Sequence, residues 1–342
     1  MKKILLFLIF SISLYGQKTE TIDLKENIKD KRGLIQSLTF IDNRPNKEIG
    51  QLAFKGNSVD VKFNNENVKE YIENWFSHDN KEGGNTDIFL MLEDLKVYNE
   101  QDEGKNYAYG KARIKISSFI KRNDKYYFIS RYNNVVVSDP KRTANMPKYL
   151  ANIIAQVITE FIKSSYILPV SVHYIPENEF YNYNSYLIKK SVVYNASELK
   201  DGVYKDFKSF SLQEPTFGYY TEKNRKNEVV GVKYREEQIS LGKIFAYVEN
   251  GKAYRLTPVG FLEMSRDTKG FFIEASRTDL FAQTQTGGMF VGAIAGGVVG
   301  ALIGAAIDSG KNKGAMAGIG FRSTILSNVY IDPLTGFYVF ER

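Results

Sequence analysis

Few side chains in this sequence are of types that do chemistry on their own. His78 and His173 are its only histidines, and there is no cysteine. A zinc site of the usual nitrogen and sulfur kind needs three or four such ligands, so two distant histidines do not supply one. A Ser–His–Asp triad is a spatial arrangement that a single histidine could serve. Yet no GxSxG elbow occurs, and neither histidine sits in a motif. His78 follows Trp75 and Phe76 where a helix should end, a place at which an imidazole can cap carbonyls. Glu93 and Asp94 are adjacent in a strand-like run. Successive strand side chains face opposite ways, so these carboxylates should not work as a glycosidase pair. Glu236–Glu237 reads as a solvated turn. Asp42 and Arg44, two apart, should point the same way and form a structural ion pair. No P-loop or dinucleotide fingerprint is present, because the glycines at 288–304 follow GxxxG spacing and no Lys-Ser/Thr closes the run. These residues assign no catalytic, cofactor-binding or metal position. The expectation is a protein that is not an enzyme, with a cryptic enzyme site as one alternative.

The strongest pattern lies elsewhere. Between Asp279 and Asp308 stand 28 uncharged residues, with glycine at every fourth position: Gly288, Gly292, Gly296, Gly300 and Gly304. On a helix, residues four apart are neighbours. Gly288–Gly304 and the adjacent row Met289, Ala293, Gly297, Ala301, Ala305 would make one smooth face, opposite bulky Ile294, Val298, Leu302 and Ile303. Twenty residues at 1.5 Å each span about 30 Å, the thickness of a hydrocarbon core. In water each interior glycine costs roughly 0.8–1 kcal/mol relative to alanine. In lipid the backbone must bond internally, and close packing along a small-xxx-small face offsets that cost. A Gly/Ala-rich loop, or a helix inside a soluble core, is the competing reading. The segment Gly287–Gly320 resembles the glycine-zipper regions of small outer-membrane lipoproteins. That resemblance implies a hairpin of two small-residue helices, with Asp308–Lys313 as its polar turn. Two features depart from it: Arg322 interrupts the second helix, and no cysteine is available for lipid attachment.

The N-terminus carries Lys2 and Lys3 followed by apolar Ile4–Leu14, the form of a secretory signal over residues 1–16. An uncleaved anchor is the alternative. Without Lys2 and Lys3, 44 basic residues face 39 acidic ones, a mild net charge of +5. The charges are interspersed, which predicts no nucleic-acid partner.

Residues 20–165 read as β, α, β, β, β, α: strands at Leu34–Asp42, Asp87–Tyr98, Tyr107–Arg122 and Lys125–Ser138, and helices from Asn64 or Asn65 to Ser77 and over Pro147–Ser165. That order predicts a small sheet with both helices on one face. Its Asp42, Arg44, Pro45 and Gly50 pattern is similar to small envelope lipoproteins of the auxiliary-transport type, which implies a binding or assembly role in the periplasm. Residues 166–185, with Pro169 and Pro176, read as a linker. Its aromatics, Tyr174, Phe180, Tyr181 and Tyr183, suit packing against a neighbour or an interfacial belt. Residues 186–342 read as an antiparallel β-rich domain interrupted by the glycine segment at 287–320. Asp201–Phe217 (DGVYKDFKSFSLQEPTF) resembles the opening of uncharacterised β-rich exported proteins. Asn250–Gly251 predicts a type I′ hairpin, and Asp332–Gly336 (DPLTG) a second one at the C-terminus. If those last strands join the preceding sheet, the glycine segment is an insertion that returns to its starting side. If not, a single crossing would leave Lys311, Lys313 and Arg322 in the cytoplasm.

The fold class expected is α+β. The function expected is a non-enzymatic, exported cell-envelope protein in assembly, maintenance or transport support. Its partners are membrane lipid and, through the zipper, further copies of itself. A soluble periplasmic ligand- or lipid-binding module is the other reading. Gly296→Leu should abolish self-association in detergent while leaving export intact, as judged by cross-linking and fractionation; unchanged association would remove the zipper.

Overall fold

Alternating strands joined by short polar turns dominate the chain. The computed structural model describes residues 18–81, 83–280 and 323–341. The expected secretory signal at residues 1–16 and the stripe Gly288, Gly292, Gly296, Gly300 and Gly304 lie outside the described residues.

The first module opens with β1 (Lys18–Ile22), β2 (Ile35–Asp42), β3 (Gln51–Phe54) and β4 (Asn57–Phe63). Helix α1 (Val68–Asp79) follows, then β5 (Thr86–Glu100), β6 (Tyr109–Arg122), β7 (Lys125–Ser138), α2 (Met146–Ser165) and β8 (Tyr174–Ile175). One sheet runs β2-β5-β6-β7-β8, with β2 parallel to β5 and the rest antiparallel. Both helices pack on one face of it, in a core that includes Phe40, Ile72, Phe76, Ile114, Ile154 and Phe161. The fold is α+β, with a β-rich second half.

A second sheet, β1-β4-β3, was not expected. It places Ile22, Leu52, Val61 and Phe63 in the same core. Helix α2 touches both sheets and is buried on more than one side, down to Ala151, Thr159 and Ser164. Two details of α1 also differ. Its N-cap is Asn67, whose side chain accepts from the Glu70 N–H, and its C-terminal carbonyl at Phe76 is taken by Asn80. His78 caps nothing; it is exposed and bonded to Asp79.

The second module begins with a 3₁₀ turn (Glu177–Asn182), α3 (Tyr183–Lys190) and α4 (Val192–Asn195). Then come β9 (Gly202–Tyr204), α5 (Phe207–Ser211), β10 (Tyr219–Lys223), β11 (Val229–Tyr234) and β12 (Glu237–Ile239). The chain continues through β13 (Ala246–Glu249), β14 (Lys252–Thr257), β15 (Gly260–Asp267), β16 (Gly270–Ser276), α6 (Arg277–Leu280), β17 (Leu326–Ile331) and β18 (Tyr338–Val339). An antiparallel sheet of seven strands runs β18-β17-β16-β15-β14-β13-β9, and β10-β11-β12 form a small one. Asn250 and Gly251 adopt φ of 52° and 73°, the two left-handed positions of the expected hairpin. The Asp201 carboxylate accepts from both of their N–H groups.

Residues 166–185 contribute β8 to the first sheet and the 3₁₀ turn against it. Phe180 and Tyr183 are buried with Phe119, Tyr126 and Phe128 on the face that the helices leave open. Tyr174 and Tyr181 stay exposed.

Strand β17 pairs directly with β16, setting Leu326 opposite Ser276. Beyond that pair, the Thr278 N–H donates to the Ser323 carbonyl at 3.0 Å. The chain therefore leaves after Leu280 and re-enters beside its point of departure. The last strands thus join the preceding sheet, the arrangement in which the glycine segment is expected to be an insertion that returns to its starting side. Among the described residues, no helix is long and apolar enough to cross a membrane. Replacing residues 283–320 by a Gly/Ser linker of about five residues should leave the melting temperature and near-UV CD of the two modules unchanged; loss of cooperative melting would show that the sheet depends on the segment.

Candidate functional site

The joint between the modules is built on the outer face of the first sheet. Arg131, on β7, is paired through both ends of its guanidinium with Asp332 in the β17–β18 turn: Nε to Oδ2 at 2.8 Å and Nη2 to Oδ1 at 2.9 Å. Both side chains are 3% exposed. Nη1 donates to Asn184 Oδ1 at 2.7 Å. Tyr183 lies alongside, its hydroxyl 2.7 Å from Glu93 Oε1 and 2.7 Å from Ser117 Oγ. Lys115 completes the series with a 2.8 Å ion pair to Glu93. Asp332 also organises its own turn by accepting from the N–H groups of Leu334 and Thr335. Nearby, the Asn134 side chain donates to the Tyr338 carbonyl and accepts from the Phe340 N–H, extending the joint to β18.

Glu93 reaches this network because of a β-bulge. The β5–β6 register shifts between Leu92 and Asp94. Ile88, Leu90 and Leu92 enter the helical core before it, and Leu95 and Val97 after it, so the buried parity changes. Glu93 and Asp94 therefore share the outer face, where they meet Lys115 and Arg113 respectively. The expectation of opposite faces is corrected: strict alternation does not survive an extra residue. Each carboxylate has its own cation, and Glu93 accepts from buried hydroxyls, which makes it part of the joint.

Burial alone would raise the Asp332 carboxyl. The Arg131 charge and its hydrogen bonds outweigh this and hold it below the usual carboxylate range. Burial likewise opposes the Arg131 charge, and Asp332 with Glu93 more than restores it. The Tyr183 phenol is pushed up by burial.

Beside the joint, a cleft of about 450 Å³ opens between the modules. From the first module come Phe128 and Ile129 on β7 and the segment Leu168–His173. From the second come Leu187, Phe207, Leu212, Phe245 and the turn Pro333–Phe337. The wall is thus mostly aliphatic and aromatic. The turn approaches α5 so closely that a Cβ on Gly336, whose φ is +73°, would lie 2.4 Å from the Phe207 ring. Arg255, on β14, also lines the cleft while only 4% exposed. Its guanidinium sits 3.9 Å over the Phe245 ring and 5.5 Å from Tyr338. It donates to the Phe245 carbonyl, while Nε has no partner among the described residues. Burial lowers its affinity for the proton, with Tyr338 the compensating group.

The structure does not bring the histidines together. His78 is exposed at the end of α1, and half-buried His173 lies in the cleft wall. Asp42 and Arg44 form the expected pair, Nε–Oδ1 2.9 Å and Nη2–Oδ2 2.8 Å, with Arg44 buried. Burial works against the Asp42 charge, and the hydrogen bonds from Arg44 and Lys47 pull its carboxyl below the usual range. Glu236 and Glu237 are exposed. No group of three or more His, Asp or Glu suited to a metal occurs among the described residues. Sequence reasoning named Tyr183 only as an aromatic suited to packing and Asp332 only as a turn residue; their part in the polar joint, and Arg131 and Arg255 altogether, it missed. A signal existed for the last: Arg255 has the parity of buried Ala253, so a cation stands at an inward position of the hairpin.

Comparison with known proteins adds no relative: no family model, no curated protein and no solved structure matches the chain.

Removing one member of a buried ion pair strands the other charge, at about 3–5 kcal/mol. Asp332→Asn should therefore lower unfolding free energy by about that much at neutral pH. A carboxyl depressed in the folded state stabilises fully above its unfolded pKa near ~4, and that contribution is lost as pH falls through the lower folded value. The gap between wild type and variant should close below about pH 4 in denaturant titrations. A gap independent of pH would mean that the charge of Asp332 does not matter. The double change Arg131→Met with Asp332→Leu should recover most of the loss, since apolar replacement of a buried pair is often neutral or better.

Proposed function

We propose that this chain is an exported, non-enzymatic cell-envelope protein that binds an apolar or amphipathic molecule between its two modules. The glycine segment at 287–320 serves to hold it at a membrane or to another copy. The observation that carries this reading is the cleft: its volume falls in the range of small-molecule sites, about 300–1,000 Å³. Its wall joins aliphatic and aromatic side chains from both modules with a smaller share of polar and charged ones, among them His173, Asp206, Lys208 and Arg255, a make-up compatible with a binding pocket. The non-enzymatic reading is supported by the separation of His78 from His173 and by the engagement of Glu93, Asp94 and Asp42 with their own cations. The export reading rests on the basic and apolar start of the chain. The membrane reading rests on the uncharged, small-residue stretch, whose two flanking ends lie side by side.

Ser211 lines the cleft at the end of α5, partly exposed, with its hydroxyl bonded only locally to the Lys208 carbonyl among the described residues. Ser211→Trp should fill the cleft without disturbing the core. Titration with an environment-sensitive apolar dye should show binding to the wild type and about tenfold weaker binding to the variant, equivalent to ~1.4 kcal/mol. Equal binding by both proteins, with equal melting temperatures, would count against the cleft as the site. Extraction of the native protein from membranes by detergent but not by salt is the outcome expected for the glycine segment.

A further inference from the structure

We propose that the cleft takes a single-chain amphiphile with an anionic head, a carboxylate or a phosphate, whose head pairs with Arg255 while its chain lies along the apolar wall. This rests on the preceding reading of the cleft and adds the chemical class of its ligand.

The first ground is where Arg255 stands. On β14 the side chains of Ala253 and Arg255 share one face, and Ala253 belongs to the core of the seven-stranded sheet. An apolar residue would be the ordinary occupant of that position. A guanidinium there, 4% exposed, is costly to bury without a counter-charge.

The second ground is how differently the chain treats another buried arginine. Arg131 is given a bidentate carboxylate, an asparagine oxygen and a tyrosine hydroxyl. Arg255 has an aromatic ring beneath it and one carbonyl, that of Phe245, which also accepts from the Leu256 N–H. Among the described residues it forms no ion pair, and its Nε is without a partner. Guanidinium presents five N–H donors in a fork that suits carboxylate and phosphate oxygens.

The third ground is that Arg255 reaches the cleft. It lines it together with Phe245, the ring on which it stacks. A second buried polar atom without a partner among the described residues, Ser191 Oγ, lines the same space. Asp206 is the one carboxylate among the described lining residues, and it is engaged at the start of α5 by the Ser209 N–H. Lys208 adds a further cation to the wall. An apolar wall with an unpaired inner cation complements a chain that ends in negative charge.

The test uses the full-length mature protein and displacement of the bound dye by dodecanoate, dodecyl phosphate or dodecanol, each below its micellar concentration. One or both anions should displace the dye at concentrations at least about tenfold lower than dodecanol, and the preference between carboxylate and phosphate names the head. Arg255→Met should bring the anions to the level of dodecanol and leave dodecanol unchanged; Arg255→Lys should retain part of the preference. Equal displacement by all three compounds would overturn the anionic head while leaving the apolar cleft standing. Failure of all three would remove the cleft reading itself. The wild-type ratio decides the matter even if Arg255→Met does not fold. A dimer that forms through the cleft, blocked by Ser211→Trp and insensitive to all three compounds, would name a second copy as the occupant and overturn the proposal.

Discussion

Two modules from distant stretches of sequence meet because one carboxylate serves two tasks. Asp332 shapes the β17–β18 turn through the N–H groups of Leu334 and Thr335, and it accepts both arms of Arg131 on β7. The partners are 201 residues apart. The same turn supplies Pro333–Phe337 to the cleft. The same ion pair therefore bears on the position of the turn, the closeness of the modules and the width of the cleft. Such pairs add little net stability compared with apolar packing, but a half-broken one is severely unfavourable. The constraint thus acts as a register pin: alternatives that separate Arg131 from Asp332 are excluded by the charge they leave uncovered.

The pin does not act alone. Phe180 and Tyr183 fill the outer face of the first sheet with Phe119, Tyr126 and Phe128, so α3 is part of the first module's surface as much as the second's. Rings meet edge-on or stacked there, with Tyr126 and Phe180 centroids 4.0 Å apart. Tyr183 links this apolar layer to the polar one, since its ring packs and its hydroxyl joins Glu93 and Ser117. A cleft between loosely tethered modules would change shape freely. Here one wall is nailed to the other by charge on one side and by aromatic packing on the next.

Local chemistry was legible in the sequence. The hairpins at Glu249–Lys252 and Asp332–Gly336 follow from turn residues that tolerate positive φ or stop a strand, and α2 from its 3.6-residue period. The β3–β4 hairpin was not: its strands are four and seven residues long, and Lys55–Gly56 is a weak turn signal. Nor was the bulge at Glu93, since it is a property of how β5 pairs with β6 rather than of β5 itself. The candidate site was hardest. Asp332 looks like an ordinary turn residue until Arg131 is beside it, and the lack of a counter-charge at Arg255 becomes visible only when its neighbours are known.

Strand β17 carries one more implication. It begins three residues after Ser323, where the chain re-enters, and ends at Ile331, immediately before Asp332. Six extended residues make a stiff strut of about 20 Å. Mechanically, Ser323 and the ion pair that pins the modules sit in series at opposite ends of that strut. Tension applied at Ser323, where the described chain resumes, has a short, rigid route to the lip of the cleft, so a load at one end of the strut and the shape of the cleft turn at the other bear on the same carboxylate.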